Sequence, residues 1–496
     1  MQYISTRGGE ERVSSAQAIK QGIAANGGLF VPETLPEFTE QELRSMMDMT
    51  YPQRAAAVLG KFLCDYTAKE LTAYCEKAYS DKRFTSAKSP APVVQLNGQI
   101  SVLELYHGPT SAFKDMALQL MPSLLAGALE KTGEKRDAFI LTATSGDTGK
   151  AALEGYCDAD RVKIMVFYPV DGVSRVQKLQ MSTQTGNNVN VCPVRGNFDD
   201  AQTGVKRIFS DPEAAAYLND HGYFFSSANS INWGRLAPQI VYYVSAYCDM
   251  VKSGTISFGE TIDVSVPTGN FGDIFAAYIA RRCGLPLGKL ICASNKNKIL
   301  TDFFKTGSYD RNRDFYTTMS PSMDILISSN LERLLYFTAG APVTADCMNK
   351  LASDGKYSVS EDIFARNSDI FYGASCDEDN TGKCIEHVYE DYKYLIDPHT
   401  AVGIYCAEKY ISESGSKRKL LCVSTASPYK FASNVYSSLT DKSFDDEFDS
   451  VDALAELTGT VPPKALSELR SKEIRFDPNV SYDPSEMLDR VKKVIG

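Results

Sequence analysis

At 496 residues, 43% of them hydrophobic and 23% charged, the chain has the composition of a globular protein and enough length for roughly two to four domains. Its net charge of −10 argues against general affinity for nucleic acid or anionic membrane, so an anionic ligand would be captured by a local pocket. Twelve scattered cysteines with only four histidines and no Cys-x-x-Cys pair indicate neither a zinc site nor a disulfide framework.

The N-terminus lacks a basic segment followed by an apolar run, and no stretch approaches membrane-spanning length, so a cytoplasmic chain with reduced thiols is expected. Residues 1–90 read as a mainly helical region, with helices over 14–25, 40–49 and 51–63 and with Pro32 and Pro36 in the connections. Thr6-Arg7-Gly8-Gly9 and Asn26-Gly27-Gly28 read as turns.

From about residue 91 strands alternate with helices, the signature of a parallel sheet with crossover connections, and this α/β core is expected over 91–296. Ile100–Leu105 reads as a strand and His107-Gly108-Pro109-Thr110 as a turn. Lys114 then falls in the first turns of a helix whose apolar face carries Met116, Leu118, Leu120, Leu124 and Leu125. A lysine placed there is either solvated and paired with Asp115, or an amine of lowered pKa able to form a Schiff base with a carbonyl.

Asp137–Thr144 reads as a buried strand, Ser145-Gly146-Asp147-Thr148-Gly149 as a tight loop, and Lys150 onward as a helix. Backbone N–H groups at such a helix start favour an anion, which makes the loop a candidate ligand cradle, with ordinary turn chemistry as the alternative. It is not a Walker loop, since Thr144 stands where the first glycine belongs and Ala151 follows Gly149-Lys150. Strands are expected over 161–170 and 188–194, and between them Arg175 and Lys178, in the segment from Gly172, read as solvated charges.

In Asn229-Ser230-Ile231-Asn232-Trp233-Gly234-Arg235, two amides and a guanidinium at helical spacing precede an apolar helix, a cluster suited to gripping a carboxylate or phosphate. The second cradle is the clearer one. A strand over 261–267 leads into Thr268-Gly269-Asn270-Phe271-Gly272-Asp273 and then an amphipathic helix over 274–281, so the backbone can wrap a phosphate at a helix N-terminus. Two cradles and one special lysine suggest two phosphates in one site.

Residues 297–390 interrupt the alternation with a helix-rich, loop-rich segment, including 323–337 and the polar run 376–383, and read as an insertion or small domain. Over 391–496 the alternation returns. Asp397-Pro398-His399-Thr400 caps a helix, Lys419–Ser424 is a strand ending in Thr425-Ala426-Ser427-Pro428-Tyr429-Lys430, and a last helix covers 484–494.

Taken in order, His107-Gly-Pro-Thr-Ser-Ala-Phe-Lys114-Asp, Thr144-Ser-Gly-Asp-Thr-Gly149 and Gly269-Asn-Phe-Gly272, with Ser424-Thr425-Ala426 near the end, resemble the threonine synthase family of bacterial and fungal type. The resemblance runs from Tyr3-Ile4-Ser5-Thr6-Arg7-Gly8 to the C-terminal region. It implies an α/β, fold type II pyridoxal-phosphate enzyme, related to tryptophan synthase β subunit, with parallel-sheet domains and helices on both faces. The implied reaction converts O-phospho-L-homoserine and water into L-threonine and phosphate. The implied cofactor is pyridoxal 5'-phosphate and the implied partner a small-molecule substrate, with no metal, nucleic acid, membrane or obligate protein partner.

Carried over residue by residue, Lys114 matches the lysine that holds the cofactor as a Schiff base. Gly269, Asn270, Phe271, Gly272 and Asp273 match the loop around the cofactor phosphate, and Thr425 the hydroxyl residue facing the pyridine nitrogen. Ser111, Ser145, Asp147, Thr148, Asn229, Asn232 and Arg235 match positions lining the substrate or cofactor pocket. The chain departs from the pattern at Ser427, where family members often carry histidine in Thr-Ala-His-Pro-Ala-Lys-Phe.

Three other readings stay open at this point. A phospholyase or dehydratase releasing a 2-oxo acid would need the same lysine and cradles. A non-enzymatic homologue would not need Lys114. Ser111-Ala-Phe-Lys114 also satisfies the Ser-x-x-Lys pattern of penicillin-recognising acyl hydrolases, although both Lys-Thr-Gly copies, at 131–133 and 305–307, follow helical segments with glycine placed as a cap.

Overall fold

A computed structural model describes residues 1–85, 89–144, 146–170 and 173–496. Its N-terminal region begins with a short antiparallel pair, β1 (Tyr3–Ser5) and β2 (Phe30–Pro32). Helices Ser15–Gln21, Glu40–Met46 and Tyr51–Phe62 form where expected and stop a few residues early at the first two C-termini. Gly22, at φ 73°, ends the first of them. A further helix, Ala68–Ala78, starts on a reciprocal cap: Thr67 N–H donates to Glu70 Oε2 at 2.6 Å and Glu70 N–H to Thr67 Oγ1 at 3.2 Å. The turns at Gly8 and Gly27 are present, both at positive φ. Thr6 and Arg7 do more than turn the chain, since both bind Glu332, the arginine through two contacts of 2.9 Å.

The alternating part builds two sheets. β3 (Val93–Gln95) and β4 (Ile100–Glu104) pair antiparallel. The chain then leaves to form β5 (Asp137–Ala143), β6 (Val162–Pro169), β7 (Val189–Val194) and β8 (Tyr223–Ser226), an all-parallel sheet in the order β7-β6-β5-β8. It returns through the long helix Trp233–Lys252 to β9 (Ile262–Pro267) and β10 (Leu287–Ser294). After the small antiparallel pair β11 (Ser308–Asp310) and β12 (Lys356–Ser358) come β13 (Phe371–Ser375) and β14 (Leu420–Ser424), completing a second sheet in the order β13-β10-β9-β14-β4-β3. All its pairs except β3–β4 are parallel. Every residue of β4, β9 and β14 is buried, as a parallel sheet covered by helices on both faces requires. This is the α/β architecture of parallel-sheet domains expected from the sequence.

β13 lies inside the segment expected as an insertion, so residues 297–390 are not wholly set apart from the core: 371–375 form the edge strand beside β10. Within 323–337 only Leu331–Ala339 begins an α-helix, preceded by a 3-10 turn at Pro321–Met323. The apolar run after Lys114 divides into helices Lys114–Leu118 and Met121–Lys131, the second opening on Pro122. Both Lys-Thr-Gly copies end helices, with Gly133 at φ 65° and Gly307 at φ 74°, which removes the strand context that acyl hydrolases need.

The N-terminal region is fastened to the core by Trp233, buried between Tyr3 and Phe62 with ring centroids 5.4 and 6.1 Å away. Each such aromatic pair adds about 0.5–1.5 kcal/mol beyond its buried area. Arg333 reinforces the joint, donating through Nε to Phe30 O at 3.0 Å and through Nη2 to Ile231 O at 2.5 Å.

Candidate active site

The carboxyl ends of β4, β9 and β14 converge, and the segments leaving them carry the site. The segment after β14 is clasped to the one after β4 by backbone hydrogen bonds. Phe113 N–H donates to Thr425 O at 2.8 Å, and Ser427 N–H to Ser111 O at 3.0 Å. Ser111 is buried at φ 59°, a left-handed conformation that is costly for a residue with a side chain and is held here by both neighbours. Thr425 is buried at the end of β14, on the strand adjacent to β4.

Lys114 opens its helix with its side chain 12% exposed. Its Nζ lies 3.3 Å from Ser322 Oγ and 3.8 Å from Asp147 Oδ2. Burial draws its pKa below the usual lysine value, and Lys430 and Arg235 act in the same direction against the opposing Asp147. Pairing with Asp115 is not what the structure shows. Asp115 is turned to Thr110, accepting from its N–H and Oγ1 at 2.8 Å each, and burial pushes its carboxyl up to about 6.

Ser145 lies outside the described residues. Beyond it the helix starts at Asp147 and not at Lys150, because Thr144 Oγ1 accepts the N–H groups of Gly146 and Gly149 at 3.0 and 2.9 Å. Asp147 and half-buried Thr148 therefore sit in a helical first turn. Burial pushes Asp147 upward, but Lys430 and Lys114 outweigh it and hold the carboxyl well below the usual range.

The second cradle follows β9. Its helix, Gly272–Arg282, begins two residues earlier than expected, so Gly272 and Asp273 belong to the first turn, whose N–H groups lack a carbonyl one turn behind. Phe271 stands at φ 64° and turns the loop into the helix. The loop is held from outside by Ser328 Oγ on Gly269 O at 2.7 Å and by Asn330 N–H on Asn270 O at 3.0 Å. Asp273 does not point into the cradle: its Oδ1 accepts from Tyr242 and Tyr243 hydroxyls at 2.5 Å each, and burial pushes it up to about 6. Of that residue only the backbone is left to face an anion.

The cluster at 229–235 is not brought together as one grip. Asn232 caps the helix, accepting from Gly234 N–H at 2.9 Å, and spends its amide on Ile19 O at 2.8 Å. Asn229 is exposed. Arg235 remains: it is buried, donates through Nη1 to Ala228 O at 2.6 Å, and has no partner for Nε among the described residues. Among the described residues no carboxylate pairs with it, and burial lowers its pKa to about 10. A buried guanidinium without an acid is poised for an anionic ligand.

Three side chains absent from the expected set belong to this site. Lys430 is fully buried with Nζ 2.6 Å from Asp147 Oδ1. Ser322 offers its hydroxyl to Lys114, and its N–H donates to His399 Nε2 at 3.2 Å. His399 Nδ1 contacts Asp397 Oδ2 at 2.6 Å, so the Asp397–Thr400 stretch both caps its helix and steadies Ser322. The stretches containing Lys430 and His399 stand out in the sequence, but nothing local marks the one as reaching Asp147 or the other as reaching Ser322. A buried lysine of reduced basicity, a glycine loop at a helix start and a hydroxyl at the neighbouring strand end together fit pyridoxal phosphate.

Comparisons with known proteins agree with this geometry. Family models match over residues 2–79 (Threonine synthase N terminus), 85–426 (Pyridoxal-phosphate dependent enzyme) and 400–495 (Threonine synthase, C-terminal). The chain is 39% identical to a threonine synthase of Pseudomonas aeruginosa, covering 87% of this chain and 89% of that one. It is 38% identical to the human threonine synthase-like 1, covering 99% of this chain and 68% of that one. The crystal structure of a PLP-bound threonine synthase from Brucella melitensis superposes with a TM-score of 0.87 at 35% identity, covering 100% of this chain and 98% of that one. The chain belongs to the threonine synthase family of pyridoxal-phosphate-dependent enzymes.

Proposed function

We propose that the protein converts O-phospho-L-homoserine and water into L-threonine and inorganic phosphate. The observation that carries this reading is the pairing of Lys114, buried beside the Gly269–Gly272 cradle, with Arg235, a buried guanidinium that has no acidic partner among the described residues and is near enough to act on Lys114. One cradle suits a cofactor phosphate and one cation a substrate phosphate.

In this reading Lys114, the backbone of Gly269–Gly272 and Thr425 hold pyridoxal phosphate, which when bound supplies the electron sink that acidifies the substrate Cα–H. The Lys114 amine takes the proton from Cα and then from Cβ, since it is an amine of lowered pKa beside Ser322, which abuts Gly269 of the cradle. Arg235 orients the substrate phosphate as it leaves from Cγ. Lys114 returns a proton at Cγ, takes one from the water that adds at Cβ and returns one at Cα, the remaining proton leaving with the phosphate, which yields the methyl, hydroxyl and Cα–H of threonine. The buried walls around Lys114 and Asp147 limit other water from reaching the same carbons.

Incubation with O-phospho-L-homoserine, with phosphate and threonine assayed together, tests the reading. Equal amounts of both products support it. Phosphate accompanied by 2-oxobutyrate and ammonia overturns it in favour of a lyase. The twelve cysteines are all unpaired, ten of them buried, which supports action in a reducing compartment such as the cytoplasm. No helix among the described residues is long and apolar enough to cross a membrane.

A further inference from the structure

Two lysines compete for Asp147. Lys430 Nζ stands 2.6 Å from Oδ1, and Lys114 Nζ stands 3.8 Å from Oδ2. Lys430 also donates to Thr110 O at 3.1 Å, which fixes its ammonium in place. Among the described residues its other contacts are neutral, Gln177 Nε2 at 3.2 Å on Oδ1 and Ser322 Oγ at 3.4 Å on Oδ2. The shorter contact goes to Lys430, and Lys114 is left with the looser one.

The charged groups around Lys114 come from every element packed on it. Asp147 acts from helix Asp147–Gly155, Lys430 from the turn Pro428–Phe431, Arg235 from helix Trp233–Lys252 and Asp115 from its own helix. Lys114 in turn acts on Asp273 of helix Gly272–Arg282, and His399 of helix Pro398–Ser414 acts on Asp147. Asp115 and Asp273 are engaged by Thr110 and by Tyr242 with Tyr243, leaving Asp147 as the carboxylate to which both lysines turn. Lys430 and Arg235 supply positive charge against it, so a further charge on Lys114 is poorly compensated where its side chain keeps only 12% of its exposure.

We propose that Lys430 is a positioning residue for Lys114: by keeping Asp147 as its own counter-ion, it leaves Lys114 as an uncharged amine, the form whose lone pair attacks a carbonyl. This rests on the reading of Lys114 as the cofactor lysine and explains how it is made nucleophilic without a neighbouring general base.

The full-length chain, freed of cofactor, is labelled with acetic anhydride at a series of pH values. Acetylation of Lys114, in which the neutral amine displaces acetate and gives up its proton to water, is read by peptide mass spectrometry against exposed Lys135. Lys430→Met releases Asp147 to Lys114 and is expected to move the Lys114 labelling midpoint upward by about one pH unit or more, so that labelling at the wild-type midpoint falls several-fold. The double variant Asp147→Asn/Lys430→Met is expected to bring the midpoint back toward wild type, a reversal that a merely structural role does not produce. An unmoved midpoint in Lys430→Met, or a double variant as high as the single one, overturns the proposal. Should circular dichroism show Lys430→Met unfolded, the polar variant Lys430→Gln takes its place: an upward midpoint supports the proposal, and an unmoved or downward one overturns it. No substrate enters this assay, so a chain that labels as expected yet makes no threonine loses the proposed reaction and keeps the role of Lys430.

Discussion

Gly269 lies so close to Ser322 that a Cβ on it would stand 2.5 Å from the Ser322 carbonyl oxygen. The obstacle is backbone, so relief requires the turn Pro321–Met323 to move, and with it the hydroxyl 3.3 Å from Lys114. Gly269→Ala is expected to weaken pyridoxal phosphate binding about tenfold or more, the effect of roughly 1–3 kcal/mol of overpacking. Titration of the cofactor absorbance measures it, and binding equal to wild type would show that the turn yields freely.

Lys114→Ala is expected to abolish covalent capture of the cofactor. The long-wavelength absorbance retained after gel filtration disappears, and turnover falls on the order of 10³-fold or more. Full turnover with the absorbance intact would remove Lys114 from the chemistry.

Arg235 and Asn232 separate binding from folding. Arg235→Gln is expected to lower kcat/KM for the phosphorylated substrate on the order of 10²-fold, with the larger part in KM, as loss of a buried charged contact costs about 2–5 kcal/mol. Asn232→Ala removes a helix cap and the bond to Ile19. It is expected to destabilise the fold by about 1–2 kcal/mol with KM little changed. Steady-state kinetics beside denaturant unfolding distinguishes the two patterns.

Asp273 carries a pH signature. Its carboxyl is pushed up to about 6 by burial. A carboxyl raised in the folded state adds stability that is complete below its unfolded pKa and is lost as pH rises through the folded one. Asp273→Asn is therefore expected to gain on wild type by roughly 2 kcal/mol between about pH 4 and pH 7. Parallel denaturant titrations at the two pH values check the sign.

Much of this was legible locally. β5, β9 and the glycine loops after them are short apolar runs closed by small residues, and each such signal lies within about ten positions. What escaped depends on which way a side chain turns or on distant pairing. Asn232 has the residue type of a ligand, yet its amide serves Ile19, far away in the chain. Asp147 reads as loop because the positive φ of Gly146 and the hydroxyl of Thr144, which together start the helix early, leave no periodic mark. β13 is a five-residue strand containing Gly373, too short to register as alternation among helices. Lys430 meets Thr110 across 320 positions, a contact made only because β14 lies beside β4.

That placement of β14 between β9 and β4 also governs the order in which the molecule is completed. The four-stranded sheet is finished once residue 226 has emerged from the ribosome, whereas β4 and β9 have no common neighbour until residue 424 follows. At about 5–20 residues per second, translation leaves the larger sheet split for tens of seconds at the slow end of that range. A nascent chain halted before β14 is thus expected to carry one closed sheet and one open seam, with Lys114 already made and its partner Lys430 not yet synthesised.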